Sequence, residues 1–243
     1  MDDPIYRLLW EAEDRLWWYV GLREHVLGRL DRFLPAGRQG RVLDIGCGAG
    51  RLMSALRRYG EVTGMDVEPQ ALQFTRSRGE RQLCQADLKA LPFDAAAFDA
   101  VTALDVVEHV EDDRGALGEI ARVLKPGGVA VLNVPAFQWL WSGKDVQAHH
   151  HRRYTKRGLL GKMPAKLLVR HVSFWNTLLL PPIAATRLWQ RLWGLNPDLD
   201  RELKPSALVN ALLTGLMRLE RPLVAWPGLP IGVSLLCTVQ KAG

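Results

Sequence analysis

Val42-Leu43-Asp44-Ile45-Gly46-Cys47-Gly48-Ala49-Gly50 is the stretch on which the fold turns. An apolar run holding one carboxylate passes into three glycines at alternating positions, and Arg51 follows. Glycine accepts the backbone angles of a tight turn and lets the main chain approach a ligand without a Cβ clash. The segment after it, 51–58, has a helical pattern, and the first turn of a helix offers N–H groups with no partner of their own. The stretch therefore predicts a strand, a ligand-cradling turn and a helix. A dinucleotide fingerprint would read G-x-G-x-x-G/A. Counted from Gly46, its last position is Arg51, which breaks that pattern.

Short apolar runs alternate with helical segments on either side of this turn. Strands are predicted at 41–45, 61–65, 82–85, 98–103 and 129–134, and helices at 51–58, 69–76 and 112–124. The last of these has an apolar stripe at Leu117, Ile120, Ala121 and Leu124, and Lys125-Pro126-Gly127-Gly128 stops it. Strand–helix alternation predicts a parallel, doubly wound α/β sheet. Residues 5–34 read as one helix ended by Pro35-Ala36-Gly37. After Pro135 the alternation breaks. The 137–154 stretch reads as an aromatic, histidine-rich loop, 155–162 as a short helix and 167–175 as a strand. Two helices, 177–195 and 205–220, precede a final strand at 233–239.

The 243 residues, 48% hydrophobic and 24% charged, suit one folded domain and exclude a disordered chain. Charge is divided unevenly: residues 138–243 hold 15 Lys and Arg against 5 Asp and Glu, whereas 1–137 hold 17 against 21. A basic half points to an anionic partner, a solvated basic face being the plain alternative. Cys47, Cys84 and Cys237 are far apart and form no metal-ligand spacing, so no metal is expected and a reducing, cytoplasmic setting is. The acidic Met1-Asp2-Asp3-Pro4 start does not read as a secretory leader. The most apolar run, 172–186, is about fifteen residues, short of the 18–20 that cross a bilayer.

With these residues in view, the chain resembles the class I S-adenosylmethionine-dependent methyltransferases. The glycine turn is joined, in the family's order, by Asp66 after Val62-Thr63-Gly64-Met65, by Asp87 in Gln85-Ala86-Asp87-Leu88, by Phe98-Asp99-Ala100-Val101 and by the 124–128 turn. The resemblance implies a Rossmann-like sheet of seven strands, mostly parallel with the last antiparallel. It divides the single 1–243 domain into a helical cap (1–38), a cofactor-binding core (39–175), a helical insertion (176–231) and the last strand (232–243). It implies S-adenosyl-L-methionine as cofactor and S-adenosyl-L-homocysteine as product. By the same resemblance Asp66 holds the ribose hydroxyls, with Val67 beside it, and Asp87 lies near the adenine amino group. Gly46, Cys47, Gly48 and Gly50 form the cradle. Asp44 orders the loop and the amino end of the methionine. Phe74, Leu88 and Leu104 are candidates to flank adenine. A weaker resemblance to a broad bacterial subgroup rests on Trp17-Trp18-Tyr19…Arg23, 151–155, 176–182 and 232–236. It makes Arg23, beside Tyr19, the candidate for the methionine carboxylate.

The acceptor side falls beyond the carboxyl ends of the strands, around Asp105, Glu108 and His109 and over 135–154. Methyl transfer needs a base only when the nucleophile carries a proton. His149, His150, His151 and Tyr154 are the candidates, led by His151, Tyr154 and His150. Arg152 and Arg153 are candidates to clamp a phosphate or carboxylate. In the insertion Leu188, Trp189, Leu192 and Trp193 lie beside Arg187 and Arg191, a pattern shared by a substrate lid, a membrane-surface contact and plain packing. The expected function is methyl transfer to a small or lipid-like acceptor, which an anionic group would suit, at the inner face of the membrane if the insertion binds lipid. A nucleic-acid methyltransferase is the runner-up because of the basic half, yet Ala103-Leu104-Asp105-Val106 is not the amino-directed DNA tetrapeptide. A nicotinamide-dependent dehydrogenase and a non-catalytic binding partner are the remaining classes.

Overall fold

The computed structural model describes residues 4–34, 39–195 and 203–243. The acidic start at residues 1–3, the 35–37 helix stop and the middle of the insertion, 196–202, lie outside the described residues. Seven strands form one sheet: β1 (Gly40–Ile45), β2 (Gly60–Asp66), β3 (Leu83–Gln85), β4 (Phe98–Leu104), β5 (Leu124–Pro135), β6 (Leu167–Trp175) and β7 (Ser234–Lys241). Their order is β3-β2-β1-β4-β5-β7-β6. Strands β1 to β5 pair in parallel, and β7 runs antiparallel between β5 and β6. This is the seven-stranded arrangement expected from the sequence.

The helices are α1 (Pro4–Arg15), α2 (Trp17–Leu30), α3 (Arg51–Leu56), α4 (Pro69–Ser77), α5 (Asp113–Val123), α6 (Gly143–Gln147), α7 (Lys156–Leu160), α8 (Leu180–Trp193) and α9 (Ala207–Ala225). Helix α5 buries Leu117 and Ile120 fully against the sheet, each side chain contributing about 1.5–3 kcal/mol. Asp112 caps its start by accepting from Gly115 N at 3.0 Å, a side-chain bond that satisfies one orphan N–H of the first turn. On the opposite face α2, α3 and α9 cover the sheet with Leu22, Val26, Met53, Met217 and Val224. Gly21 of α2 lets Met217 come close, since a Cβ there would sit 3.4 Å from the Met217 side chain.

The single helix expected over 5–34 is two helices. The chain is extended at Leu16 (φ −68°, ψ 130°). A break exposes an N–H and a C=O that need partners. Asn210 of α9 supplies both, accepting from Trp17 N at 2.9 Å and donating Nδ2 to Arg15 O at 2.8 Å. The cause is a side chain some two hundred positions away, which local periodicity does not carry. Helix α9 also runs to Ala225, beyond the expected end at 220.

Candidate active site

At β1 the chain order of the sheet reverses, with β2 on one side and β4 on the other. Loops leaving the carboxyl ends of such neighbours diverge and open a crevice. The glycine loop after β1 forms one wall. Gly46 N and Cys47 N both donate to Met65 O, at 2.7 and 2.9 Å, which stitches the loop to β2. Gly46 has φ +68° and a Cβ on it would lie 2.3 Å from Val106 Cγ2, so only glycine fits. Asp66 closes the turn: its Oδ2 accepts from Gly48 N and its Oδ1 from Glu68 N, each at 3.0 Å. Burial raises its carboxyl above the ordinary value.

The other wall is the N-terminal pair of helices. Glu13 of α1 accepts from Ala49 N at 2.8 Å and from Arg51 N at 3.0 Å. It thereby caps α3, whose N-terminal Gly50 has no side chain to do so. Burial raises the Glu13 carboxyl, against the pull of these N–H bonds and of Arg78. Arg23 Nη1 donates to Glu13 O at 2.9 Å, and burial lowers its guanidinium.

Between the walls lies a cavity of about 240 Å³, bordered by Glu13, Tyr19, Arg23, Asp44, Leu104 and Asp105 among others. Asp44 is 2% exposed. Its Oδ1 accepts from Thr102 Oγ1 at 2.6 Å, while its Oδ2 has no hydrogen-bond partner. Burial pushes this carboxyl up to about 7. An orphaned carboxylate oxygen beside a cavity suits a cationic group of a ligand. A larger cavity, about 450 Å³, opens beside Gln39, Arg41, Arg57 and Glu61 at the opposite ends of β1 and β2, away from the glycine loop.

Of the residues expected to bind cofactor, Arg23, Asp44, Gly46, Cys47, Gly48 and Leu104 border this cavity. Gly50 and Asp66 shape the loop behind it. Val67 and Asp87 are exposed outside that lining, and Asp87 turns back to accept from Lys89 N at 2.9 Å. The Leu88 side chain packs into the core and does not border the cavity, a correction to its expected place against adenine. Glu13, Trp18 and Leu9 border the site and escaped the sequence reading.

The acceptor side needs larger corrections. Tyr154 is 2% exposed and its hydroxyl donates to Asp113 Oδ2 at 2.9 Å. Burial and that carboxylate raise the phenol, so it is not a base. His151 has an exposed ring, and its backbone N–H donates to Glu108 O at 2.8 Å. His150 Nδ1 lies 2.9 Å from Asp145 Oδ1, and its ring meets His109 edge-on at 4.6 Å. None of the three borders the cavity. Arg152 and Arg153 are not an anion clamp. Arg153 grips the buried Asp145 at 2.7 and 3.0 Å, and Arg152 reaches Asp113 at 3.0 Å. Two buried carboxylates need compensating cations, and these arginines supply them.

Asp105 does border the cavity. It sits at the end of β4 with φ +54°. Its Oδ1 accepts from Asn133 Nδ2 at 2.7 Å and its N–H donates to Asn133 O at 2.9 Å. Burial pushes its carboxyl up to about 6, against the pull of Asn133, His150 and Arg153. Behind it Glu108 is fully buried with neither carboxyl oxygen hydrogen-bonded, and burial raises it well above the ordinary value. Glu108, His109 and His150 each place one donor atom within 4.8 Å of the others, a spacing that reaches metal-ligand range. Sequence spacing alone does not reveal this grouping, because His150 comes from a different loop.

Residues 43–132 match the family model described as a methyltransferase domain. A malonyl-[acyl-carrier protein] O-methyltransferase of Enterobacter lignolyticus is 30% identical over 202 residues, 80% of this chain and 77% of that protein. A ubiquinone biosynthesis O-methyltransferase of Xanthomonas oryzae is 37% identical over 117 residues, 45% of this chain and 47% of that one. The chain thus spans roughly half the length of several curated relatives it matches. Among solved structures, the methyltransferase in complex with the Trm112 activator of Haloferax volcanii superposes with TM-score 0.61 at 22% identity, covering 96% of this chain and 92% of that one. The [4+2]-cyclase SpnF gives TM-score 0.57 at 22% identity, covering 90% and 80%. Likeness at that identity speaks to fold alone, and one fold hosts many chemistries.

Proposed function

The chain belongs to the class I S-adenosylmethionine-dependent methyltransferases, and on that premise we propose that it methylates an oxygen of a small, hydrophobic acceptor held at Asp105. The observation that carries this reading is the continuity of one cavity, from the orphaned oxygen of Asp44 to the carboxylate of Asp105. The two curated relatives named above are O-methyltransferases, which supports oxygen as the acceptor atom.

The residues present fit S-adenosylmethionine. Asp44 would take the methionine ammonium, Arg23 the methionine carboxylate and Asp66 the ribose hydroxyls, by charge-assisted hydrogen bonds. Asp87 would stand toward the adenine amino group and Leu104 against the adenine face. When bound, S-adenosylmethionine supplies a methyl group on a positively charged sulfur, so the protein's task is chiefly alignment. Asp105 orients the acceptor hydroxyl and takes its proton on Oδ2, Oδ1 being held by Asn133. A carboxyl lifted toward 6 is a stronger base than an ordinary one. His150, fixed by Asp145, stands behind as a positioning group whose charge tunes Asp105. The acceptor is lipid-like, and the setting is the cytoplasm, where Cys47, Cys84 and Cys237, none of them disulfide-bonded, stay reduced.

The test uses methyl-labelled S-adenosylmethionine with cell extract, the products being split into organic, aqueous and macromolecular fractions and Asp66→Ala serving as blank. Label in the organic fraction is expected. Asp105→Asn should lower kcat about 10²-fold, abolish the pH limb near 6 and leave S-adenosylhomocysteine affinity within a few-fold. Label confined to macromolecules, or an unchanged kcat, overturns the reading.

A further inference from the structure

Helix α9 has two apolar faces. Met217 and Val224 are buried against the body of the protein, and Arg29 of α2 donates to the carbonyls of Val224 and Ala225. The opposite face is uncovered: Leu208, Leu212, Leu219 and Trp226 are 71%, 65%, 70% and 72% exposed, with Leu223 between them. Leu208, Leu212, Leu219 and Leu223, with Gly215 in the gap, follow the 4-3-4-4 rhythm of one helical stripe, and Trp226 stands just past the helix end. Helix α8 adds Leu188, Trp189, Leu192 and Trp193, all exposed, with the two indoles stacked at 4.3 Å. A helix satisfied on one side has no packing reason to carry a second apolar stripe, and an exposed apolar stripe of this kind marks a binding face.

Charge identifies the occupant. On α8 and α9 the exposed cations are Arg191, Arg218 and Arg221, and the one acid of these two helices, Glu220, is buried and accepts from Thr177 N and Leu178 N. Arg218 and Arg221 stand on the flank between the two faces of α9 and share a single carboxylate, Glu24. Leu and Trp on one face with cations beside them is the composition of a helix that lies in a bilayer interface, and cations flanking it favour anionic lipid. No described helix is long and apolar enough to cross a membrane, so the contact is with the surface. A second copy of the chain fits less well, because the exposed charges of the two helices are all cations and a self-complementary contact would bring them together.

We propose that the outer faces of α8 and α9 dock on an anionic lipid bilayer. The inference stands apart from the acceptor chemistry, since docking is read with no turnover.

The experiment is flotation of the whole chain with vesicles of phosphatidylglycerol and phosphatidylcholine in equal parts, against phosphatidylcholine alone. The protein should float with the anionic vesicles and stay behind with the neutral ones. The pair Leu212→Glu and Leu219→Glu should weaken flotation at least tenfold, and the pair Trp189→Ser and Trp193→Ser should weaken it as well. The melting temperature with S-adenosylhomocysteine should stay unchanged in each. Absence of flotation, or flotation of the Leu212→Glu, Leu219→Glu protein equal to the parent, overturns the proposal. A dimer by light scattering that those substitutions dissociate, without flotation of the parent, assigns the face to a second copy and overturns it too.

Discussion

Replacing Asp44 by Asn should stabilise the ligand-free protein at high pH while crippling ligand binding. Asp44 is buried, and one oxygen of its carboxylate is orphaned. Burial moves the carboxyl from 3.8 to about 7. The folded state then holds its proton more tightly than the unfolded chain does. Stability from this group is full below pH 3.8, falls as the pH climbs toward 7 and is flat above. At about 1.4 kcal/mol per unit, the ionised group costs the fold about 4 kcal/mol at pH 8. Asn is neutral throughout and keeps an oxygen for the Thr102 hydroxyl, but it puts an unpaired amide where the orphan oxygen was, at about 1–3 kcal/mol. The net gain at pH 8 is about 1–3 kcal/mol, a rise in Tm of roughly 3–10 °C for a domain of this size. At pH 5 most of the gain vanishes, because Asp44 is protonated there. Calorimetry in the same buffers should show S-adenosylhomocysteine affinity at pH 8 falling about tenfold to a hundredfold, the worth of one charge-assisted bond. A Tm difference between the two proteins that stays flat from pH 5 to 8, or an unchanged affinity, refutes the reasoning.

Glu13→Ala should remove the cap of α3 and cost about 1–3 kcal/mol. Faster tryptic cleavage at Arg15 should accompany it, and an unchanged Tm and digestion pattern would show that α1 does not hold the loop. Tyr154→Phe should lose one buried hydrogen bond, about 1 kcal/mol, because Arg152 and Lys162 still compensate Asp113. Its kcat should match the parent's, and a tenfold drop with normal folding would restore the tyrosine as a catalytic group.

The fold was legible because its signals are local. Alternating apolar runs and helical stripes recur through 41–135, and three glycines in one turn admit few backbone paths. Where the fold departs from the sequence reading, the cause is distant. Leu16 interrupts a continuous helical pattern because Asn210 is there to satisfy both broken ends. Without α9 in place, one continuous helix would leave fewer backbone groups unpaired. No window of sequence around Leu16 contains that information.

The candidate site divides along the same line. Candidate cofactor-side residues sit at strand ends whose positions follow from the strands themselves, and the family resemblance singled out Asp44, Asp66 and the glycines there. Acceptor-side chemistry depends on which charges the fold buries, and counting is silent there. Arg152 and Arg153 look like a free clamp until Asp113 and Asp145 are seen to be nearly or fully buried. An uncompensated carboxylate at such a position would cost several kcal/mol, so the fold claims the arginines before any substrate does. Tyr154 is captured by the same demand. What then faces the cavity on the acceptor side is a carboxylate that no arginine grips, Asp105, tethered by Asn133 on the neighbouring strand. Its basicity arises because the nearby cation Arg153 is already spent on Asp145, leaving burial to dominate and hold the carboxyl up to about 6.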